Sequence, residues 1–482
     1  MAGPFPSLRI TADALTPEGS FAEAQAQFLQ PRPAIVKELD ALLREKKIGV
    51  VAHFYMDPEL QGVLSACSWE HIGVSDSLVM ADRGIRMADA GCRTIVVLGV
   101  DFMSENARAL LTAAGYEDVP VYRVASDPIG CSLAESAEAQ AYGAYLTEAS
   151  RTTNALHVVY INTSLITKAK AHALVPTITC TSSNVVQTIL QAAAQVPDLN
   201  VFFGPDTYMG ANLENMFVAM SAMDDAAIRE VHPAHDRKSI RDLLDRFRYF
   251  EQGTCVVHHM FGAEVVKTVR ESYPDALITA HLEVPGEMFA LGLERKMQNA
   301  GVVGSTSNIL GFILEKVRAA TRTPGVKLQF VLGTEAGMIT PIVRKVQSIL
   351  REAKSNAAVD IIFPVASEAV TQTNDPELIV VPGVSGGEGC TTAGGCATCP
   401  YMKMNSLDAL LDLCRRIDAV KGADLAPFEP KRYVERVKGR SAADVGGEPI
   451  LHMRHLQQHG ELSKELIADI QGRFDARATL PT

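Results

Sequence analysis

Short runs of β-branched and other apolar residues recur along the chain and predict buried strands. They lack the strict alternation of half-exposed strands, as expected for strands that are covered on both faces. Three consecutive blocks each contain two such runs: 48–55 and 94–100, then 156–162 and 201–206, then 276–281 and 328–333. Stretches with helical periodicity, such as 185–193 and 309–320, lie between them. This alternation predicts an α/β fold with mostly parallel sheets.

Small hydroxyl residues precede a predicted helix in every block. The three groups are Ser75-Asp76-Ser77, Thr181-Ser182-Ser183-Asn184 and Ser305-Thr306-Ser307-Asn308. Ser, Thr and Asn are good helix caps, so ordinary capping explains any one of them. Because the three groups follow matching strands, we favour a second interpretation, in which three helix N-termini hold one ligand with several negative groups.

Polar side chains also stand at the ends of the first predicted strand of each block. The three pairs are His53 and Tyr55, Tyr160 and Asn162, and His281 and Glu283. Their i, i+2 spacing places both members of a pair on one face of an extended segment. Carboxyl ends of strands line the ligand crevice of α/β sheets. A lone histidine there is usually structural, but three pairs indicate a site, with acid–base chemistry favoured over metal binding for His281 and Glu283.

Composition narrows the classes of function. The 482 residues are 47% hydrophobic and 21% charged, which is typical of a globular protein with a substantial core. The net charge of −11 disfavours nucleic-acid and anionic-membrane surfaces. No apolar run reaches the length of a membrane span. The first residues lack the features of a secretory signal, so we expect a reducing compartment and no disulfide framework for the nine cysteines.

Three of these cysteines recur at wide, similar spacing. The interval from Cys131 to Cys255 is 124 residues, and that from Cys255 to Cys399 is 144 residues. Lone thiols in repeated blocks suggest one shared soft metal centre, and three thiolates leave a metal position open for chemistry. The neighbours Cys390 and Cys396 leave alternatives open, because with Cys399 they have the spacing of a zinc site or a redox-active disulfide. Cys67, Cys92, Cys180 and Cys414 have no partner pattern.

Several motifs resemble those of the quinolinate synthase family, the iron–sulfur enzymes of de novo NAD biosynthesis, from about residue 45 to residue 415. The matching segments are 52–55, 99–107, 160–164, 180–184, 304–307 and 333–337, together with the ordered cysteines. The resemblance implies three similar three-layer α/β/α domains around a pseudo-threefold axis. It places a leader at 1–30, domains at 31–130, 131–254 and 255–400, and a C-terminal helical segment at 401–482 that packs on the first domain.

The resemblance further implies a 4Fe–4S cluster, held by Cys131, Cys255 and Cys399, whose open iron acts as a Lewis acid. The reaction implied is a condensation of iminoaspartate with dihydroxyacetone phosphate that yields quinolinate, phosphate and water, a transferase- or lyase-type activity. The catalytic residues implied are Tyr55, Tyr160, His281 and Glu283. The substrate-binding residues implied are His53, Ser77, Asn162, Ser182, His258, Ser305 and Thr306.

The chain departs from the common family pattern in three places. Leu282 and Val284 stand where the family usually has Pro and Cys, residues 65–73 replace an acidic segment, and extra residues at 211–248, at 351–375 and after Lys421 imply elaborated loops as in plant-type members. We expect no sulfur-transfer domain ahead of the core. A disulfide of Cys396 with Cys390 or Cys399 is a hypothesis for regulation.

The resemblance also suggests partners, and rival interpretations stay open beside it. We expect a cytoplasmic monomer or homodimer, with a plastid location left open and no nucleic acid or membrane partner. Functional links are expected to L-aspartate oxidase or aspartate dehydrogenase and to cluster-assembly proteins. The rivals are another three-domain iron–sulfur enzyme, of diphthamide or isoprenoid type, and a non-catalytic metal scaffold that uses Cys390, Cys396 and Cys399 alone.

Overall fold

Two compact units make up the chain. The computed structural model describes residues 4–27, 29–365, 369–370, 390–391 and 398–478. Met1–Gly130 and Val256–Pro430 form the first unit, and Cys131–Cys255 and Lys431–Thr482 form the second. The chain therefore passes between the units at Cys131, directly after Cys255 and at Lys431.

The described residues contain short strands that gather into three main sheets. The strands are β1 (Ser7–Ile10), β2 (Leu15–Glu18), β3 (Ile48–His53), β4 (Ile72–Ser75), β5 (Thr94–Leu98), β6 (Val121–Arg123), β7 (Ala155–Tyr160), β8 (Thr177–Cys180), β9 (Asn200–Gly204), β10 (Phe247–Tyr249), β11 (Leu277–His281), β12 (Gly301–Gly304), β13 (Lys327–Gly333), β14 (Ala358–Ile362), β15 (Ala369–Val370), β16 (Cys390–Thr391), β17 (Arg436–Val437) and β18 (Arg440–Ser441).

Helices connect and cover these strands. They are α1 (Ser20–Gln27), α2 (Pro33–Lys46), α3 (Pro58–Ala66), α4 (Ser77–Asp89), α5 (Asp101–Ala113), α6 (Ser132–Glu138), α7 (Gln140–Ser150), α8 (Leu165–Leu174), α9 (Val185–Gln195), α10 (Thr207–Ala222), α11 (Asp225–Val231), α12 (Arg237–Arg246), α13 (Ala263–Ser272), α14 (Gly286–Met297), α15 (Thr306–Ala320), α16 (Ile339–Glu352), α17 (Leu407–Arg416), α18 (Gly422–Leu425), α19 (Ala442–His459) and α20 (Lys464–Ala478).

The three sheets repeat one topology. Their strand orders are β4-β3-β5-β6, β8-β7-β9-β10 and β12-β11-β13-β14, with β1 and β2 added to the last. Within each four-stranded core every pairing is parallel. In each core the second strand in sequence lies beside the first, and the third lies on the other side of the first. The predicted α/β fold with mostly parallel sheets and a threefold repeat is confirmed.

The N-terminal residues, expected as a leader, extend the third sheet in the first unit. Strand β1 pairs antiparallel with β14 and with β2. Leu8 and Ile10 alternate with exposed or partly exposed residues, and both are fully buried in the core that α15 and α16 form with this sheet. Apolar alternation is the signature of such an added strand, since only one face meets the core.

The C-terminal residues, expected as one helical segment, divide between the two units. In the first unit, Lys46 Nζ donates to the carbonyls of Cys414 and Arg415, 2.8 Å away, at the end of α17. In the second unit α19 packs closely on α8, where a Cβ atom at Gly446 would lie 2.3 Å from the carbonyl oxygen of Leu165. Glycine at this position permits the close helix contact.

One expectation about insertions was wrong. Residues 211–248, expected as elaborated loops, contain the end of α10, the helices α11 and α12, and the strand β10. The helix α12 begins with a capping box, in which Asp236 accepts from the backbone of Ser239 and the Ser239 hydroxyl accepts from the backbone of Asp236.

No helix among the described residues has the length and apolar content needed to cross a membrane.

A buried histidine in the second sheet generates a pH prediction. His157 is fully buried on β7, with Nε2 2.8 Å from the Tyr142 hydroxyl and Nδ1 3.3 Å from the Thr177 hydroxyl. Burial lowers the pKa of His157 to about 3. The unfolded chain takes up a proton near the ordinary pKa of 6.5, whereas the folded chain does not, so stability is full above that value and falls as the pH drops below it.

Because of this histidine, we expect the unfolding free energy of the wild type to fall by about 2 kcal/mol when the pH is lowered from about 7 to about 5. The variant His157→Gln removes the titrating group, so its unfolding free energy should fall less on acidification. Chemical denaturation of both proteins at several pH values measures the difference. Parallel pH curves for the two proteins would contradict the prediction.

Candidate active site

The predicted strand-end residues occupy equivalent positions in the three repeats. His53 pairs in register with Ser75, Tyr160 with Cys180, and His281 with Gly304. The residue after each of them donates its backbone N–H to the last residue of the neighbouring strand. These bonds join Phe54 to Ser75 (3.1 Å), Ile161 to Cys180 (2.9 Å) and Leu282 to Gly304 (3.1 Å). The three pairs predicted from the i, i+2 spacing are thus one structural position repeated.

The hydroxyl groups follow the same register. Ser77, Ser182 and Thr306 each stand two residues beyond the paired residue of the second strand. Capping is supplied by other side chains in the first block, where Asp76 Oδ1 accepts from Val79 N at 3.0 Å. In the third block Ser305 caps α15 in a capping box with Asn308. Ordinary helix capping therefore explains the Ser305 hydroxyl.

The first and third repeats share a turn that orients their histidines. Tyr55 N lies 3.2 Å from His53 Nδ1, and Glu283 N lies 3.4 Å from His281 Nδ1. In each turn the ring nitrogen accepts the backbone N–H two residues on, which leaves Nε2 as the protonated nitrogen of a neutral ring. The imidazole rings are held by the backbone and not by a packing contact alone.

His258, Glu283 and His281 form a buried trio in the first unit. The rings of His258 and His281 stack with centroids 4.6 Å apart. Glu283 Oε2 lies 3.1 Å from His258 Nδ1, and Glu283 Oε1 lies 3.5 Å from His281 Nδ1. All three side chains are at most 4% exposed. His258 Nε2 has no hydrogen-bond partner among the described residues, so this donor or acceptor is open to a ligand.

Burial sets the protonation of the two strand-end histidines. Desolvation lowers the pKa of His53 to about 4 and that of His281 to about 3, although the nearby Glu283 carboxylate opposes both shifts. Both rings are therefore neutral near pH 7, the form that accepts a proton at one nitrogen while it donates from the other.

A second polar group lies at the end of β13. The Tyr55 and Thr334 hydroxyls are 3.3 Å apart, which joins the end of the first sheet to the end of the third within the same unit. Next in sequence, Glu335 Oε2 accepts from Gly337 N at 2.7 Å and Oε1 accepts from Cys399 N at 3.2 Å. Burial raises the pKa of Glu335 to about 8, and the two N–H donors oppose that rise.

In the second unit the segments around Cys131 and Cys255 lie together. The Ser132 hydroxyl donates to the carbonyl of Thr254 at 3.0 Å, so the residues that adjoin the two cysteines are in contact. Gly253 approaches the backbone of Pro205 so closely that a Cβ atom would lie 2.1 Å from its carbonyl oxygen. The chain thus returns, 124 residues after Cys131, to its starting point in this unit. Two of the three predicted ligands are brought near each other.

Each predicted ligand also follows a segment tied to the end of the third strand of its repeat. The ties are Asp101 N to Ile129 O (2.9 Å), Thr207 N to Gly253 O (2.7 Å) and Glu335 Oε1 to Cys399 N (3.2 Å). In the first two ties the acceptor is the carbonyl two residues before Cys131 or Cys255. In the third tie the acceptor is the carboxylate of Glu335 and the donor is the amide of Cys399 itself. The repeat therefore extends from the strands to the thiols.

The other cysteines behave as structural residues. Cys92, Cys180 and Cys414 are buried, whereas Cys131, Cys255 and Cys399 are partly exposed. Burial raises the pKa of Cys67 and Cys92 to about 11, that of Cys414 to about 12, and that of Cys180 well above its ordinary value. A suppressed thiolate is a poor metal ligand. Cys396 and the side chain of Cys390 lie outside the described residues, and so does the hypothesis of their disulfide.

Tyr160, Asn162 and Ser182 belong to the second unit. Tyr160 is buried at the end of β7, and Asn162 and Ser182 are partly exposed. Tyr160 and Cys180 end neighbouring strands, so the three residues gather at the carboxyl edge of the second sheet. They lie at the carboxyl edge of the second sheet, the position that His53 and His281 occupy in the first and third sheets of the first unit.

Comparison with known proteins now identifies the family. The family model described as quinolinate synthetase A protein matches residues 37–422. The chain belongs to the quinolinate synthase family. A chloroplastic quinolinate synthase of Nicotiana tabacum is 57% identical over 484 aligned residues, which cover 97% of this chain and 67% of the relative. One from Arabidopsis thaliana is 55% identical with the same coverage. A quinolinate synthase of Prochlorococcus marinus is 27% identical and covers 81% of this chain and 86% of the relative.

Membership at this level makes the chain an enzyme of the quinolinate synthase type, and the diphthamide-type, isoprenoid-type and scaffold alternatives are not favoured. The family implies a metal cofactor. The donor chemistry fits a soft metal group, since the three predicted thiols are partly exposed and form no disulfide with another described cysteine. The expectation of a cytoplasmic location receives no support, because these plant relatives are chloroplastic.

Four residues near the site were not predicted: Gln61, Thr334, Glu335 and Asn405. Thr334 and Glu335 directly follow the strand predicted at 328–333, and polar residues after a buried strand are a signal that applies to them as well. Gln61 lies within a helix and Asn405 within a loop after Cys399, where spacing carries no such signal. Their partners are backbone groups distant in sequence, which only the folded chain shows.

The trio generates the first activity prediction. In Glu283→Gln the side chain keeps its size but no longer accepts a proton, so quinolinate formation should fall about 100-fold or more. Steady-state assays of quinolinate measure the loss. The control is Glu294→Gln, which alters an exposed carboxylate paired with Arg270 and should leave the rate unchanged. Equal rates for both variants would show that Glu283 has no part in proton transfer.

Proposed function

We propose that this chain condenses iminoaspartate with dihydroxyacetone phosphate to form quinolinate, phosphate and water. The buried trio of His258, Glu283 and His281 is the observation that carries the proposal. A condensation followed by dehydration needs repeated proton transfers at neutral pH, and imidazole and carboxylate groups held this close together are suited to exchange protons with a substrate. Family membership supports the same reaction.

The anionic groups of the substrates match the repeated hydroxyl residues. Iminoaspartate carries two carboxylates and dihydroxyacetone phosphate carries a phosphate. Ser77 and Thr306 stand in the first turns of α4 and α15, where free N–H groups and the helix dipole favour negative charge. We assign Ser77, Ser182, Thr306, Asn162 and His53 to substrate binding. Ser305 supports this group through the cap of α15.

Proton transfer falls to residues that are neutral or can share a proton. His281 and Glu283 would move protons during imine formation, isomerisation and dehydration, with His258 completing the trio. Tyr55 lies beside His53, with ring centroids 4.6 Å apart, and its hydroxyl reaches that of Thr334. This arrangement suits a relay that donates to a leaving oxygen. Tyr160, at the equivalent strand end of the second unit, is assigned the same kind of role.

For the cofactor we propose a 4Fe–4S cluster with Cys131, Cys255 and Cys399 as its protein ligands. Its support is the repeat, which ties each of the three cysteines to the end of a third strand, and the contact of the segments around Cys131 and Cys255 in the second unit. An iron without a protein thiolate would supply Lewis-acid chemistry at a substrate oxygen. The chain's own residues bind, orient and exchange protons with the substrates.

The relatives also favour a cellular setting. We propose a plastid location, which the descriptions of the plant relatives support. Iminoaspartate is supplied by oxidation of aspartate, so L-aspartate oxidase or aspartate dehydrogenase remains the predicted functional link, with cluster-assembly proteins as the source of iron and sulfide.

Anaerobic reconstitution tests the reaction directly. The protein is loaded with iron and sulfide and incubated with iminoaspartate and dihydroxyacetone phosphate, and quinolinate is measured. We expect quinolinate to form in proportion to cluster content, since the proposed chemistry needs the cluster. A protein with a full cluster that gives no quinolinate would overturn the proposal.

The ligand assignment makes a separate prediction. Cys131→Ser, Cys255→Ser and Cys399→Ser should each lose most of the cluster, because one of three thiolate ligands is removed. Iron and sulfide analysis with the visible spectrum measures the loss. Cys180→Ala and Cys414→Ala are the controls, since both thiols are fully buried, and they should keep the cluster. Cluster retention in Cys131→Ser would contradict the assignment and favour a metal site confined to residues 390–399.

A further inference from the structure

A buried hydrogen-bond network in the first unit leads from the loop of Cys399 to the turn that carries Tyr55. Glu335, Gln61 and the backbone between them form this network. Both side chains are 1% exposed, so a lost hydrogen bond within the network leaves a buried polar group without that partner. We propose that Glu335 is a positioning residue that fixes Cys399 relative to the turn of Tyr55. This inference rests on the proposed function, in which Cys399 is a cluster ligand.

The chemistry of the side chain supports the proposal. Glu335 Oε2 caps the short helix Ala336–Met338 through Gly337 N, and Oε1 takes the N–H of Cys399. In its ionised form the carboxyl group offers two acceptor oxygens and no donor, so this form can serve both N–H groups at once, and the two N–H donors favour it. A glutamine would cap the helix but would direct its NH₂ group at one of the two donors. Burial of a carboxylate is costly, so a cap alone does not explain its presence here.

The repeat shows what the carboxylate replaces. In the first and second repeats, a backbone N–H after the third strand binds the carbonyl two residues before the cysteine, from Asp101 to Ile129 and from Thr207 to Gly253. In the third repeat the bond from the end of β13 reaches the amide of Cys399 itself and comes from a side chain. In this repeat the side chain of Glu335 thus makes a bond between the cysteine and the end of the sheet.

The rest of the loop is already fixed on the other side. Lys403 N donates to the Cys399 carbonyl at 3.2 Å. Asn405 is fully buried and exchanges hydrogen bonds with Gly99, from Gly99 N to its Oδ1 (3.1 Å) and from its Nδ2 to Gly99 O (3.2 Å). These contacts anchor the residues after the cysteine. On the N-terminal side of these contacts, the side chain of Glu335 holds the amide of Cys399.

Gln61 connects the same turn to Tyr55. Its Nε2 atom lies 2.9 Å from Gly337 O, 2.8 Å from Phe54 O and 2.7 Å from Met56 O. The residues on both sides of Tyr55 are therefore bound to the turn that Glu335 caps. Because Glu335 binds both Cys399 N and the turn to which Gln61 joins the neighbours of Tyr55, this side chain sets the distance between a cluster ligand and a catalytic residue.

Iron loss from the reconstituted protein tests the proposal. Three proteins are compared: the wild type, Glu335→Gln, and the control Asp360→Asn. Asp360 is a buried carboxylate of the same unit that pairs with Arg9 at 2.8 Å and Lys327 at 3.0 Å, so its variant also exchanges a buried carboxyl group for an amide. We expect Glu335→Gln to lose iron to a ferrous chelator about fivefold faster or more, the factor that one net hydrogen bond gives. Asp360→Asn should follow the wild type within about twofold.

Hydrogen–deuterium exchange of the metal-free proteins gives a readout that does not depend on the cluster. Peptides that span 399–405 should exchange faster in Glu335→Gln than in the wild type and Asp360→Asn. Equal exchange and equal iron loss in all three proteins would overturn the inference. If Glu335→Gln does not fold, Glu335→Asp repeats both measurements, since its shorter side chain keeps the charge but loses the reach to one donor.

The outcomes separate the inference from the proposed function. A wild type that takes up no cluster under these conditions refutes the function proposed above and the inference with it. A wild type that holds its cluster beside a Glu335→Gln variant that holds it equally well refutes the inference alone. Failure of both Glu335 variants to fold, with Asp360→Asn intact, would assign Glu335 to fold stability and overturn a positioning role.

Discussion

A single backbone hydrogen bond, made once in each repeat, positions the predicted site. It joins the residue after the first strand to the last carbonyl of the second strand. Because the strands are parallel, this bond brings the polar pair of the first strand and the hydroxyl group of the second to the same edge of the sheet. His53 and Ser77, Tyr160 and Ser182, and His281 and Thr306 owe their placement to it. The helices that follow need only begin where the strands end.

The charges at this edge depend on how little water reaches it. Desolvation is the first cause of the low pKa values of His53 and His281, and it outweighs the nearby carboxylate of Glu283. Neutral imidazoles are useful there because substrates with several negative groups supply the charge themselves. Glu283 between two rings gives the site one group that favours a proton in their neighbourhood. The bound form of the site is therefore expected to differ in protonation from the empty form.

The sequence predicted the buried strands, from their apolar runs, and the repeated polar residues at the strand ends, from their spacing. The central strands β3, β5, β7, β9, β11 and β13 stood out because they are covered on both faces, whereas β6 and β10 have three residues each and carry no comparable signal. The paired residues at strand ends were predictable from their spacing. Gln61 and Asn405 were not, since each is defined by backbone partners far away in sequence, whereas Glu335 follows a predicted strand and only its bond to Cys399 needed the folded chain. The burial of Cys180, which disfavours it as a ligand, likewise shows only in the folded chain.

The cysteines show why long-range contacts matter more than motifs in this chain. A thiol in a flexible loop binds a metal only at the entropic cost of ordering that loop. Each predicted ligand avoids part of this cost, because bonds to the end of a third strand hold its segment before any metal arrives. The carbonyls of Ile129 and Gly253 make the first two ties, and at Gly253 a Cβ atom would lie 2.1 Å from the Pro205 carbonyl oxygen, so that segment requires glycine. The third tie comes from the side chain of Glu335. The segment of Cys399 is therefore one at which a substitution outside the predicted ligand itself is expected to alter the metal centre.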